Sequence, residues 1–469
     1  MTDDSPLAAH DPPGGSARPA RQLGFWLCLA LVVGNIVGSG VFLLPASLAP
    51  YGLNSVLGWL VTAGGAMLLA FVFARLARVY PQAGGPYVYP RVAFGELSGF
   101  LMAWGYWMSV WVGNGAIAIG TVASLAELIP FIKNTTGAPA VAAVSLIWML
   151  TLLNWRGVKQ AGVFQLVTTV LKLLPLLAVI LLAFMLLGAE DASVIKMEPQ
   201  PVSASAIAAS AALTLWALLG LESATVPADN VIDPKRTIPR ATLWGTFIAA
   251  VIYVAACSTV MLLIPGAQLA ESNAPFADAL RLFWGDRAAE LLALFAFISG
   301  VGALNGWILV QGEMPRVLAR EGVFPQVFGR PSRYGTPGPA LFITSGLGTA
   351  LVLMNYSESM VSIFTFVILV STCAFLVMYL FCALAALKLA WRGDLGLKGP
   401  KLAVLLVVAM LAALYSLWTL YGAGPEAFRW SMALFAVGLP VYYAMRRDAD
   451  GLRSEPSVSA RDSASRPHG

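Results

Sequence analysis

Near its start the chain interrupts a long apolar run with Gly34-Asn35-Ile36-Val37-Gly38-Ser39-Gly40. A run of that kind reads as a membrane span, and a spanning helix has no use for three glycines and two polar residues at mid-depth. Non-helical backbone survives in a membrane only where it is buried in protein or lines a cavity. The segment therefore dictates that the rest of the chain must pack around a break in its own first helix. In membrane carriers such breaks lie at substrate sites, where freed N–H groups receive an anionic group.

Composition narrows the alternatives. Of 469 residues, 58% are hydrophobic and 11% charged, and the mean hydropathy is +0.77; soluble proteins run at about 45–50% apolar and about 25% charged. The pattern is that of a polytopic membrane protein. Histidine occurs only at His10 and His468, in polar tails, which argues against embedded metal sites and Ser-His or Cys-His catalysis. Cys28, Cys257, Cys373 and Cys382 lie in apolar runs without metal-type spacing and read as inert core residues. No P-loop pattern is present, so ATP does not drive the protein. No cofactor, metal or nucleic-acid partner is expected, and the chain does not read as an enzyme.

Twelve apolar runs can span, near residues 23–48, 55–79, 96–126, 138–154, 160–188, 203–227, 239–264, 285–313, 337–354, 360–388, 401–421 and 427–445. Residues 1–22 and 448–469 read as disordered tails. With twelve spans, Lys133, Lys196, Arg281, Arg287 and Arg429 fall on one side and Lys172 inside a span; the others of the 29 Lys and Arg fall on the side of the termini. The positive-inside rule then places both termini in the cytoplasm.

The sequence also repeats itself. Gly38 stands seven residues before Pro45 in the first run, and Gly220 seven before Pro227 in the sixth. An offset of five spans is odd, so the copies have opposite topology. Paired breaks in inverted halves point to a midplane binding site, although Gly and Pro are also simply frequent in membrane helices.

Several residues carry possible chemistry. Ser39 and Gly40 follow the break, where the positive end of a half-helix favours a carboxylate; a small-residue packing motif is the alternative. Glu222, in the sixth run, is an intramembrane acid, a class often used as a proton relay; it also fits a structural anchor. Lys172, the lone lysine inside a run, reads as an exchangeable charge or as a snorkelling or helix-pairing lysine. Trp216 and Trp307 adjoin a break and glycines, and a Trp face can hold a cation. Asn114 puts an amide inside an apolar run. Tyr106, Trp107 and Trp111 crowd the third run.

At this point the motifs resemble a known family. Gly34 to Pro45, Gly84-Gly85-Pro86-Tyr87-Val88-Tyr89, Tyr106-Trp107 with Trp111 to Asn114, Trp216 to Ser223, the Asp233-Pro234-Lys235-Arg236 segment and Gly306-Trp307 are similar to the amino acid–polyamine–organocation (APC) transporters. Within that superfamily the bacterial arginine/agmatine and basic amino acid/polyamine antiporters look nearest, over roughly residues 23–445. The resemblance implies an all-α membrane protein with twelve transmembrane helices. Residues 23–388 would form a LeuT-type core of two inverted five-helix repeats with helices 1 and 6 discontinuous, and 389–447 two further helices. It implies secondary antiport of an arginine-like amino acid for an agmatine-like amine in a bacterial inner membrane, and suggests a homodimer. By position, Ser39 and Gly40 look like the carboxylate-binding turn, with Asn35 beside it. The carbonyls of Ile36, Trp216 and Leu219 look like acceptors for the α-amino group. Trp307 and Asn114 would meet the guanidinium, with Ser371 nearby, and Tyr106, Glu222 and Tyr379 resemble gating and proton-sensing residues. Lys172 departs from the antiporter pattern and resembles the lysine of proton-coupled symporters, which keeps symport of broader specificity open.

Overall fold

The computed structural model of the protein describes residues 23–82, 86–156, 161–188, 195–197, 200–225, 228, 231–354 and 359–454. Among them there is no strand. In chain order the helices are α1 (Phe25–Ile36), α2 (Leu44–Leu48), α3 (Leu53–Val79), α4 (Val88–Phe94), α5 (Glu96–Leu128), α6 (Pro130–Asn134), α7 (Ala138–Arg156), α8 (Ala161–Gly188) and α9 (Ala204–Ala217). They continue as α10 (Pro234–Leu263), α11 (Gly266–Glu271), α12 (Pro275–Trp284), α13 (Asp286–Arg320), α14 (Gly338–Met354), α15 (Met360–Arg392), α16 (Pro400–Gly422) and α17 (Pro425–Ser454).

Each of the twelve apolar runs holds helix, and the glycine-bearing first and sixth are the interrupted ones. Seven helices, α3, α5, α7, α10, α13, α15 and α16, are long and apolar enough to cross a membrane. Shorter apolar stretches are α1, residues 171–186 of α8, α9 and α14. The last helix runs on to Ser454, beyond the end of the apolar pattern. Expected features at 1–22, 83–85, 226–227, 229–230 and 455–469, including Gly84, Gly85, Pro227 and most of the polar tails, lie outside the described residues.

The centre of the bundle is α5, packed against α13 on one side and α15 on the other. At 33 residues, α5 is about 50 Å long against a hydrocarbon core of about 30 Å. It is buried along nearly its whole span, while α7 and α16 expose broad apolar faces, as lipid-facing helices must. With lipid tails as apolar as side chains, helices associate through close fit, and small residues let backbones approach. Gly105 lies under the Phe435 ring, Gly65 under Tyr415, and Gly58 against Ser210. Thr62 and Thr214 share a hydrogen bond of 2.7 Å across the same α3–α9 contact.

The tightest of these approaches is at the end of α16, where a methyl group on Gly422 would collide with the backbone carbonyl of Ala208 in α9. A carbonyl cannot rotate away as a side chain can, and overpacking costs about 1–3 kcal/mol. Gly422→Ala is expected to lower the melting temperature of the detergent-solubilised protein, whereas Gly64→Ala, which meets nothing within 4 Å, is expected to leave it unchanged. Equal melting curves for the two variants would contradict this packing.

Candidate functional site

The first break begins where α1 stops at Ile36. Val37 turns extended, with φ −76° and ψ 92°, and the chain resumes through a 3-10 turn at Ser39–Phe42 before α2. The end of a helix leaves carbonyls without intrahelical partners, and lipid offers no water to satisfy them. Two side chains from other helices do so. The Tyr253 hydroxyl of α10 donates to the Ile36 carbonyl at 2.9 Å and accepts from the Gly38 N–H at 3.2 Å, tying both sides of the break. The Lys172 ammonium of α8 donates to the Gly34 carbonyl at 3.2 Å. Both side chains are fully buried, and Lys172 has no carboxylate within ion-pair distance among the described residues.

The second break follows α9. Ala217 ends the helix, the Leu219 N–H turns back to the Trp216 carbonyl at 3.2 Å, and the Ser223 N–H and hydroxyl both donate to the Gly220 carbonyl, at 2.9 and 2.5 Å. Gly220 has φ +103°, a conformation that needs glycine. Its Cα side lies within ordinary van der Waals reach, about 3.5 Å from where a Cβ would sit, of the Asn35 backbone and the Trp307 ring. The two breaks thus meet at Gly220, with Trp307 beside them.

A cavity opens at this meeting point. Asn35, Ile36, Asn114, Trp216, Leu219, Trp307 and Ser371 all line it, from five different helices or their broken ends. Ser39 and Gly40 begin the adjoining 3-10 turn. The Ile36 carbonyl already accepts from Tyr253, and the Trp216 carbonyl from the Leu219 N–H. The Ser371 hydroxyl donates to the Ser109 carbonyl at 2.9 Å. The Asn114 amide donates to Gln311 at 2.6 Å. The wall is otherwise apolar and aromatic, the usual character of a small-molecule site with a few oriented polar groups.

Tyr106, Glu222 and Tyr379 gather behind one wall of this cavity. Tyr379 donates to the Glu222 carboxyl at 2.7 Å, and the Tyr106 hydroxyl faces the same carboxyl. The Phe375 ring, which lines the cavity, packs against Tyr106 and Tyr379 with centroids 5.4 and 5.9 Å away. Glu222 is fully buried and has no cationic partner among the described residues. Lys172 belongs to a different contact, against α1. Among the described residues no cluster of three or more His, Cys, Asp or Glu could hold a metal ion.

Tyr253, Phe375 and Gln311 were not legible as site residues. A tyrosine or phenylalanine in an apolar run has no local pattern that marks its partner. Gln311 did carry a signal, since it lies one helical turn beyond Trp307 on the same face of α13.

Comparison with known proteins places the chain in a family. Residues 23–442 match the family model described as amino acid permease. The chain is 33% identical over 338 residues to the cadaverine/lysine antiporter of Escherichia coli (strain K12), covering 71% of this chain and 75% of that protein. It is 31% identical over 456 residues to a Bacillus subtilis (strain 168) protein named for arginine/ornithine antiport, covering 90% and 96%. It is 29% identical over 428 residues to the putrescine transporter PotE of Escherichia coli (strain K12), covering 91% and 97%.

Removing one hydroxyl tests the first break. Tyr253→Phe strands the Gly38 N–H and frees the Ile36 carbonyl in a dry interior, at about 1–3 kcal/mol for a buried group left unmade. A lower melting temperature and weaker binding of a basic amino acid are expected, measured by thermal unfolding and titration calorimetry in detergent. Wild-type values for both would mean that the break is held open by other contacts.

Proposed function

The chain belongs to the amino acid permease family, and from that premise we propose that it is a secondary antiporter exchanging a basic amino acid, arginine-like, for its decarboxylated amine, agmatine-like. One observation carries the reading: a single cavity joins two helix breaks to a distal wall holding Asn114 and Trp307. Broken backbone suits the charged end of an amino acid, the Ser39–Gly40 turn taking the carboxylate and the Ile36, Trp216 and Leu219 carbonyls the α-amino group. The Trp307 face and the Asn114 amide suit a cation at the far end, with Asn35 and Ser371 completing the walls. Decarboxylation removes the anionic end and keeps the distal cation, so both exchange partners share the same anchor. Relatives named for lysine and cadaverine, arginine and ornithine, and putrescine point to the same chemistry.

The same reading assigns a LeuT-type arrangement of twelve spans in two inverted repeats, both termini in the cytoplasm of a bacterial inner membrane, and a homodimeric assembly. Glu222, with Tyr106 and Tyr379 around it, is the pH sensor: gain or loss of its proton biases which face of the site is open. No bond is made or broken in the substrate, so the protein acts as a carrier rather than a catalyst.

One feature favours a second reading. Lys172 is fully buried without an acidic partner among the described residues and bonds the carbonyl of the broken helix at Gly34. A lysine that releases α1 on losing its proton would couple transport to a proton gradient, making the protein a symporter.

Labelled arginine flux into proteoliposomes separates the readings. Exchange requires internal agmatine or arginine for uptake, and Glu222→Gln is expected to flatten the dependence on pH while Lys172→Met changes it little. Uptake into empty vesicles driven by a proton gradient, lost in Lys172→Met and retained in Glu222→Gln, would establish symport instead.

A further inference from the structure

Asn114 contributes one amide to the cavity, and which end of that amide faces a substrate decides what the distal pocket accepts. Its oxygen accepts hydrogen bonds; its NH₂ donates them. Away from the cavity, Asn114 begins a line of buried polar side chains that crosses three further helices. It contacts Gln311 of α13 at 2.6 Å, Gln311 contacts Ser345 of α14 at 2.9 Å, and Ser345 contacts Thr151 of α7 at 2.7 Å. Thr151 ends the line at the backbone carbonyl of Ile147, 2.7 Å away. Asn114, Gln311, Ser345 and Thr151 are all 3% exposed or less.

Each of these contacts holds one proton, and the last one fixes the rest. The Ile147 carbonyl has no proton to give, so the single hydroxyl proton of Thr151 points at it. The Thr151–Ser345 contact is then made by the Ser345 proton. Ser345, its proton used, can only accept from Gln311, which must turn its Nε2 that way. Gln311 therefore presents Oε1 to Asn114, and Asn114 must donate through Nδ2. The Asn114 amide keeps its second Nδ2 hydrogen and its Oδ1, and Oδ1 is a buried acceptor with no partner among the described residues.

We propose that Gln311 is a specificity-determining positioning residue: it locks the Asn114 amide so that the distal pocket presents an acceptor, and thereby admits substrates whose far end donates hydrogen bonds. An ammonium or guanidinium satisfies that oxygen and gains from its partial negative charge. A methyl group leaves it stranded, and a carboxylate is repelled. The inference rests on the distal cation assigned in the proposed function, but it concerns a residue that touches neither the cavity nor the substrate.

The test is equilibrium binding of L-arginine and L-norleucine to purified full-length protein in detergent, expressed as the ratio of the two affinities. A buried hydrogen bond to a charged group is worth roughly a tenfold to hundredfold change in affinity. Gln311→Met, similar in shape but without hydrogen-bonding atoms, frees the Asn114 amide to turn and is expected to reduce the ratio by about tenfold or more. Gln311→Glu still offers Asn114 Nδ2 an acceptor and is expected to hold the ratio at the wild-type value or above. Should Gln311→Met not fold, Gln311→Asn withdraws the acceptor by one methylene and is expected to lower the ratio in the same direction. A high wild-type ratio that none of the variants lowers, or that Gln311→Glu loses as fully as Gln311→Met, overturns the proposal alone. A wild-type ratio near one overturns the basic-substrate reading, and this proposal with it.

Discussion

Stopping a helix at Ile36 inside an apolar bundle leaves carbonyl and amide groups that cannot turn to water, and the surrounding architecture is arranged to meet them. Tyr253 comes from α10 and Lys172 from α8, so both helices must pack on α1 at the depth of the break. Gly220 takes a backbone conformation that favours glycine, φ +103°, where the second break lies beside the Asn35 backbone and the Trp307 ring. The cavity is what remains between two interrupted helices once their loose ends have found partners. A polar site could not otherwise exist at that depth, because every unmet backbone group costs about 1–3 kcal/mol.

The two buried ionisable groups divide between separate contacts rather than neutralising each other. Glu222 is held by Tyr379 beside the aromatic wall of Phe375, and Lys172 by a main-chain carbonyl of α1. Neither has an opposite charge within ion-pair distance among the described residues. Charge compensation at the surface works differently. Arg281 of α12 bonds Glu127 at the end of α5, Asp278 within its own helix and Asp286 at the start of α13, joining three helix ends in one network.

The sequence reveals this molecule unevenly. The break at Gly34–Gly40 and its counterpart near Gly220 are visible because glycine and polar residues are conspicuous in apolar runs, and they lead directly to Asn35 and Trp216 on the cavity wall; Ile36 and Leu219 follow only from the family resemblance. Asn114 and Trp307 are visible for the same reason. Tyr253 and Phe375 are not, since an aromatic residue in a span gives no sign of whether it faces lipid, core or ligand; only the fold supplies their partners. Gln311 lies between these cases, because its polarity is plain while its role depends on Ser345 and Thr151 on two other helices. The short helices α4 and α12 escape hydropathy for another reason. At seven and ten residues they are too brief to span, and in sequence they read as loop.

Where a substrate's far end comes to rest decides what the site selects. A structure of the protein with bound L-arginine, determined by electron cryomicroscopy, tests this directly. A guanidinium nitrogen about 3 Å from Asn114 Oδ1 over the Trp307 face, with the carboxylate at the Ser39–Gly40 turn, is the predicted result. Arginine bound the other way round, with its carboxylate beside Asn114, or held outside the cavity between the two breaks, would contradict it.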